Sequence, residues 1–82
     1  MFYVYILKSL KDSKLYIGCC SNLRLRFRQH NDGEVVSTKH RRPFVLIYYE
    51  AYKNKEVAFG REKLLKHSGK AYTALKKRLL LF

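Results

Sequence analysis

Ser21-Asn22-Leu23-Arg24-Leu25-Arg26-Phe27-Arg28-Gln29-His30 can be read in two ways, and the choice decides the fold. Leu23, Leu25 and Phe27 alternate with Arg24, Arg26 and Arg28, the period of two that marks a half-buried strand. Yet Ser21 and Asn22 are good helix N-caps, Leu23–Phe27 and Arg26–His30 are i,i+4 pairs, and Gly33 can end a helix. Pattern alone leaves both readings standing.

The flanks are clearer. Phe2 to Leu7 is β-branched and aromatic, as strands are. Lys11-Asp12-Ser13-Lys14 is polar turn material, and Leu15 to Gly18 resumes as a second strand, so residues 2 to 18 read as a hairpin. Asn31 to Pro43 reads as a polar, basic loop. Phe44 to Tyr52 is a third strand. Asn54 then caps a helix from about Lys55 to His67, with Val57, Ala58, Leu64 and Leu65 on its apolar side. Gly69 is expected as a cap or break, and Lys70 to Leu81 as a last amphipathic helix with Ala71, Ala74, Leu75 and Leu79 on one side. With a helix at 23–30 the order is ββα, loop, βαα: a small α+β domain, residues 1–82, built on a three-stranded antiparallel sheet.

Charge narrows the partner. The chain has 82 residues, and 18 Lys plus Arg against 6 Asp plus Glu give a formal charge of +12. Such a surface repels itself unless it meets a polyanion, so nucleic acid leads and an anionic membrane surface comes second. No stretch approaches the roughly 20 apolar residues of a bilayer span. No basic region precedes the apolar N-terminus, so a signal peptide is not expected. Cys19 and Cys20 are adjacent, with Cα atoms about 3.8 Å apart, closer than disulfides usually bridge. They are expected as reduced packing residues in a cytoplasmic protein.

Some residues could carry chemistry. In a helix, Arg26 and His30 share a face. A guanidinium can stabilise charge developing on a phosphodiester, and an imidazole can hold a phosphate or pass a proton. The plain alternative is a solvated basic face. Glu62, an acid at the margin of a helical core stripe in a very basic chain, suits a divalent cation completed by water and phosphate. An ion pair with Arg61 or Lys66 explains it equally. Tyr5 and Tyr16 are ordinary strand aromatics unless both face one open site, where a phenol could orient or deprotonate water if cations lowered its pKa. No second carboxylate pairs with Glu62, which argues for one metal rather than two. The Thr38–Pro43 run clusters charge with a hydroxyl and suits phosphate oxygens.

At these residues the chain resembles the GIY-YIG nuclease superfamily, in particular its small single-domain bacterial members. Tyr3-Val4-Tyr5 sits where the first motif triplet belongs, and Tyr16-Ile17-Gly18 is the second. Asn22-Leu23-x-x-Arg26-x-x-x-His30-Asn31 matches the motif helix, and Ser37 to Pro43 the basic loop of the small members. Ala58-x-x-Arg61-Glu62-Lys63-x-x-Lys66 matches the glutamate helix. The resemblance implies a helix at 23–30, with the sheet flanked by helices. It implies hydrolysis of DNA phosphodiesters with one Mg²⁺ or Mn²⁺ held by Glu62, and Arg26 stabilising the transition state. Tyr5 is then the general base or water-orienting group, with Tyr16 and His30 assisting. Arg24, Arg28, Thr38, Lys39, His40, Arg41, Arg42, Arg61, Lys63, Lys66 and Lys70 are expected to contact nucleic acid. The implied activity is an endonuclease of low intrinsic sequence specificity, acting in repair or maintenance on DNA that can be branched or damaged, with a protein partner for targeting and no membrane. The alternative is a nucleic-acid-binding module of the same fold that cuts little or not at all. The chain departs from the family's pattern at Tyr3, which replaces glycine, and at Cys19 and Cys20, where Ser, Lys or Thr is usual. It also has no asparagine beyond Glu62, where several nucleases of the superfamily use one, so that role is empty or filled otherwise, by a backbone group or Lys70.

Overall fold

A computed structural model describes residues 1–80. Its elements are β1 (Phe2–Ser9), β2 (Leu15–Cys20), α1 (Leu23–Asp32), a short 3-10 turn (Lys39–Arg41), β3 (Phe44–Tyr52), α2 (Lys55–His67) and α3 (Gly69–Leu80). The fold is α+β: a three-stranded antiparallel sheet with three helices. Residues 23–30 are helical. The Asn22 side chain accepts a hydrogen bond from the Leu25 N–H at 3.1 Å. Gly33, with φ 80°, takes the left-handed conformation that closes the helix and sends its N–H to the Gln29 and His30 carbonyls. Alternation in the sequence loses here because both ends of the segment carry helix-specific caps.

The strand order is β2-β1-β3, so β1 is central. Tyr5 faces Gly18 on one side and Tyr49 on the other. A central strand covered on both faces need not alternate in polarity, and Val4, Tyr5, Ile6 and Leu7 are all buried. Val4 and Ile6 look toward α2 and α3, packing with Ala58, Leu65 and Leu75, while Ile17 and Cys19 pack at the margin. Tyr5 and Leu7 look the other way, with Phe44, and meet Tyr16, Cys20, Leu23 and Phe27. Fully burying one such side chain as Leu65 contributes ~1.5–3 kcal/mol.

Several expectations need correction. On α2 only Ala58 and Leu65 are buried, whereas Val57 and Leu64 are about half exposed. The buried stripe is narrow because the half-buried Arg61 and Glu62 occupy the turn between them. Ala74 of α3 is exposed too. Gly69 does not cap α2: Ser68 does, and its Oγ accepts from the Ala71 N–H at 3.3 Å to start α3 at Gly69. The expected loop 31–43 contains the end of α1 and the 3-10 turn. Leu81, the expected last residue of α3, lies outside the described residues.

Candidate active site

The hairpin and the last turn of α1 build one cluster. Tyr5 on β1 lies over Gly18 of β2, where a Cβ would fall well inside contact distance of the phenol's Cζ and hydroxyl oxygen. Any larger residue at 18 would displace the ring. The Tyr5 hydroxyl is 2.8 Å from His30 Nε2, and His30 Nδ1 is 2.8 Å from Thr38 Oγ1. Tyr16 packs edge-on to the same imidazole, with ring centres 5.0 Å apart. Arg26 lies one turn before His30, half-buried, with Nη1 3.5 Å from Gln29 Oε1. Asn31 locks this helix to the sheet: its Nδ2 donates to the Phe44 carbonyl at 3.0 Å and its Oδ1 accepts from the Phe44 N–H at 2.7 Å. Beside the cluster, a cleft of about 520 Å³ is lined by residues including Tyr3, Arg24, Phe27 and Tyr49.

Burial sets the protonation states. The Tyr5 phenol is pushed well above its ordinary pKa by desolvation, and the neighbouring Arg26 guanidinium only partly offsets this. The condition for this phenol to deprotonate water, a pKa lowered by cations, is therefore not met, because loss of water outweighs one guanidinium. His30 is fully buried, and desolvation first and Arg26 second lower its pKa to about 4. It is a neutral imidazole at neutral pH with both nitrogens engaged, so it does not itself reach a phosphate.

Glu62 is not in this cluster. It lies on α2, across the sheet, with its side chain 16% exposed and paired to Lys66 Nζ at 3.1 Å. Edge strand β2 lies between the two. Burial, and then the charge of Glu62, raise the Cys19 thiol pKa, while burial and Cys19 raise that of Cys20 and Arg26 lowers it. The adjacent cysteines thus stand between the carboxylate on one face and the guanidinium on the other. Both are free thiols. Among the described residues no group of three His, Cys, Asp or Glu side chains could hold a metal. Glu62 alone offers one hard oxygen donor set, which fits Mg²⁺ or Mn²⁺ with water and substrate phosphate filling the remaining positions.

The basic residues divide. Arg24, Arg28, Lys39, His40, Arg42, Lys63, Lys66 and Lys70 are exposed. Three expected contacts are corrected in role. Thr38 is fully buried against His30 and cannot meet a phosphate directly. Arg61 donates through Nε and Nη2 to the two Glu50 oxygens, both at 3.0 Å. Arg41 pairs with Asp12 at 2.8 Å, holding that carboxyl down at about 2, and lies over the Phe44 ring. Glu50, not singled out from the sequence, accepts from Tyr48, Tyr52 and Arg61 together. Its signal was present in the spacing of Tyr48, Glu50 and Tyr52, which share one strand face.

A model of the GIY-YIG catalytic domain matches residues 1–78. A UPF0213 protein of Clostridium perfringens is 45% identical over 67 residues, covering 80% of this chain and 71% of that one. One of Haloquadratum walsbyi is 37% identical over 79 residues, covering 95% and 83%. The solution NMR structure of a UPF0213 protein from Bacillus halodurans superposes with TM-score 0.58 at 34% identity, covering 94% of this chain and 84% of that chain.

Proposed function

The chain belongs to the GIY-YIG family, a family of nucleases that generally depend on divalent metals, and from that premise we propose that it is a metal-dependent DNA endonuclease. The observation that carries this reading is the gathering of Tyr5, Tyr16, Arg26 and His30 from three separate elements against edge strand β2. Arg26 is the charge clamp for the phosphodiester in the transition state. Glu62 would hold Mg²⁺ or Mn²⁺, whose chemistry is to polarise the phosphodiester and activate water, and because it lies across the sheet from Arg26 the substrate would have to span edge strand β2 to meet both. Lys66 pairs with Oε2 alone and leaves Oε1 for the cation.

Tyr5 orients water rather than deprotonating it. Its pKa is raised and that of its partner His30 is lowered, so moving the phenol proton to the imidazole is steeply unfavourable. Tyr5 is 1% exposed and does not face an open site as expected, so any water its phenol oxygen orients has to enter the cluster with the substrate. Tyr16 walls the imidazole in. With exposed bases on both layers, low sequence specificity follows from contacts to backbone rather than to base edges. The preference for branched or damaged DNA, a repair role and targeting by a protein partner extend the same reading.

The test is cleavage of nicked, flapped and branched DNA with Mg²⁺ or Mn²⁺. Cuts by the wild type should vanish in Glu62→Ala and fall ~10³-fold in Arg26→Ala, the magnitude of losing an oxyanion-type donor. Equal residual cleavage by wild type and variants would mean that a contaminant cuts.

One observation favours a second reading. Glu62 is already paired with Lys66, and among the described residues it belongs to no group of three or more His, Cys, Asp or Glu side chains that could hold a metal. A nucleic-acid-binding module with little cleavage would look this way. It predicts binding that survives Glu62→Ala and no metal-dependent cuts on any DNA.

A further inference from the structure

Thr38 adjoins the basic residues of the loop, yet its hydroxyl turns inward. The Oγ1 atom lies 2.8 Å from His30 Nδ1 and 3.4 Å from the Val35 carbonyl oxygen. The Val35 oxygen can only accept, so the threonine hydroxyl that points to it donates there and accepts from His30. His30 then carries its proton on Nδ1 and offers a bare Nε2 to the Tyr5 hydroxyl, 2.8 Å away.

The opposite tautomer fails at the other end of the chain. With the proton on Nε2, His30 would donate to the Tyr5 oxygen, and the phenol proton would need another acceptor. The polar side chains beside the buried phenol are Arg26, which can only donate, and Tyr16 and Cys20, neither of which is hydrogen-bonded to it. Among the described residues no buried side-chain nitrogen or oxygen lacks a partner. The Nδ1–H form satisfies every donor from Tyr5 to Val35 with protein groups alone.

We propose that Thr38 is a positioning residue of the site: it fixes His30 in the Nδ1–H tautomer and thereby fixes the Tyr5 hydroxyl as a donor to Nε2, leaving the phenol lone pairs for Arg26 and for water. Thr38 immediately precedes the 3-10 turn that carries Lys39, His40 and Arg41, so the same residue ties the basic loop to the site. The catalytic consequence rests on the endonuclease reading; the tautomer does not.

Two measurements separate them. Long-range ¹H–¹⁵N correlation of the His30 imidazole in wild-type protein should show a protonated Nδ1 and an unprotonated Nε2. Thr38→Val, which keeps the shape and removes the hydroxyl, should lose that preference, and Thr38→Ser should restore it. Tyr5→Phe should leave Nδ1–H in place, because Thr38 still accepts; this variant decides the matter if Thr38→Val does not fold. Wild-type His30 protonated on Nε2, an unchanged tautomer in folded Thr38→Val, or loss of Nδ1–H in Tyr5→Phe would each overturn the proposal. With cleavable DNA, Thr38→Val should lower kcat on the order of 10- to 100-fold with KM little changed, as misplacement of a reacting group does, and Thr38→Ser should rescue it. A wild type that cuts no DNA would sink the endonuclease reading while the imidazole spectra still judge Thr38.

Discussion

His30 makes the most direct link between burial and a measurable property. Its pKa is about 4 in the fold against 6.5 as a free side chain, with desolvation the larger cause and Arg26 the smaller. A depressed imidazole pKa means that the unfolded chain binds the proton and the folded chain does not. Stability is therefore complete above about pH 6.5 and declines as pH falls toward 4, by on the order of 2–3 kcal/mol. Urea midpoints measured from pH 7.5 to 4.5 should fall along that window, and His30→Gln should flatten the profile. Asp12 titrates lower, near pH 2, and adds nothing within the window. A wild-type midpoint that stayed level from pH 7 to 4.5 would show that His30 is solvated or charged in the fold.

At the level of elements, α2 is held to β3 by a polar clamp rather than by a wide apolar face. Only Ala58 and Leu65 of α2 are buried, and Arg61 reaches from the same helix to both Glu50 oxygens. Burial pushes the Glu50 carboxyl up, but hydrogen bonds from Arg61, Tyr48 and Tyr52 prevail and hold its pKa below the usual value. Arg61→Ala leaves a half-buried carboxylate with phenols alone, so it should destabilise the protein by ~1–3 kcal/mol. Arg28→Ala, on an exposed position, should stay within ~0.5 kcal/mol in the same urea titration. The contrast also marks how far the sequence was legible. Strands β1 and β3, the caps Asn22, Gly33 and Asn54, and the helix pair could be read because local chemistry and periodicity agree there. The helix at 23–30 needed the family motif, since alternating arginines imitate a strand. Arg61 and Thr38 looked like phosphate contacts because a sequence displays residue type and neighbourhood but not which way a side chain turns. Their partners, Glu50 and His30, are 11 and 8 positions away. The placement of Glu62 across the sheet from Arg26 is a consequence of tertiary packing, which no local pattern carries.

For the whole molecule the governing fact is a charge of +12 on a body 28 × 27 × 22 Å across. At physiological salt the screening length is about 8 Å, so bases on opposite faces hardly sense one another. Only those turned to a given duplex release its counterions. Among the many exposed bases, those expected to contact nucleic acid lie on α1 (Arg24, Arg28), in the loop (Lys39, His40, Arg42) and on α2 and α3 (Lys63, Lys66, Lys70). If about six of them meet phosphates at once, affinity for duplex DNA should drop on the order of 10³-fold between 50 and 200 mM salt. Fluorescence anisotropy with a labelled duplex in EDTA gives the slope of log Kd against log salt without cleavage. Arg28→Ala should reduce that slope by about one phosphate's contribution. Arg61→Ala, assayed where it remains folded, should leave the slope unchanged, because its guanidinium is committed to Glu50. Glu62→Ala removes a negative charge and frees Lys66, so it should bind as tightly as wild type or tighter. Affinity that ignored salt, or an Arg61→Ala slope reduced as much as that of Arg28→Ala, would mean that the DNA-facing surface is not the one these exposed bases define.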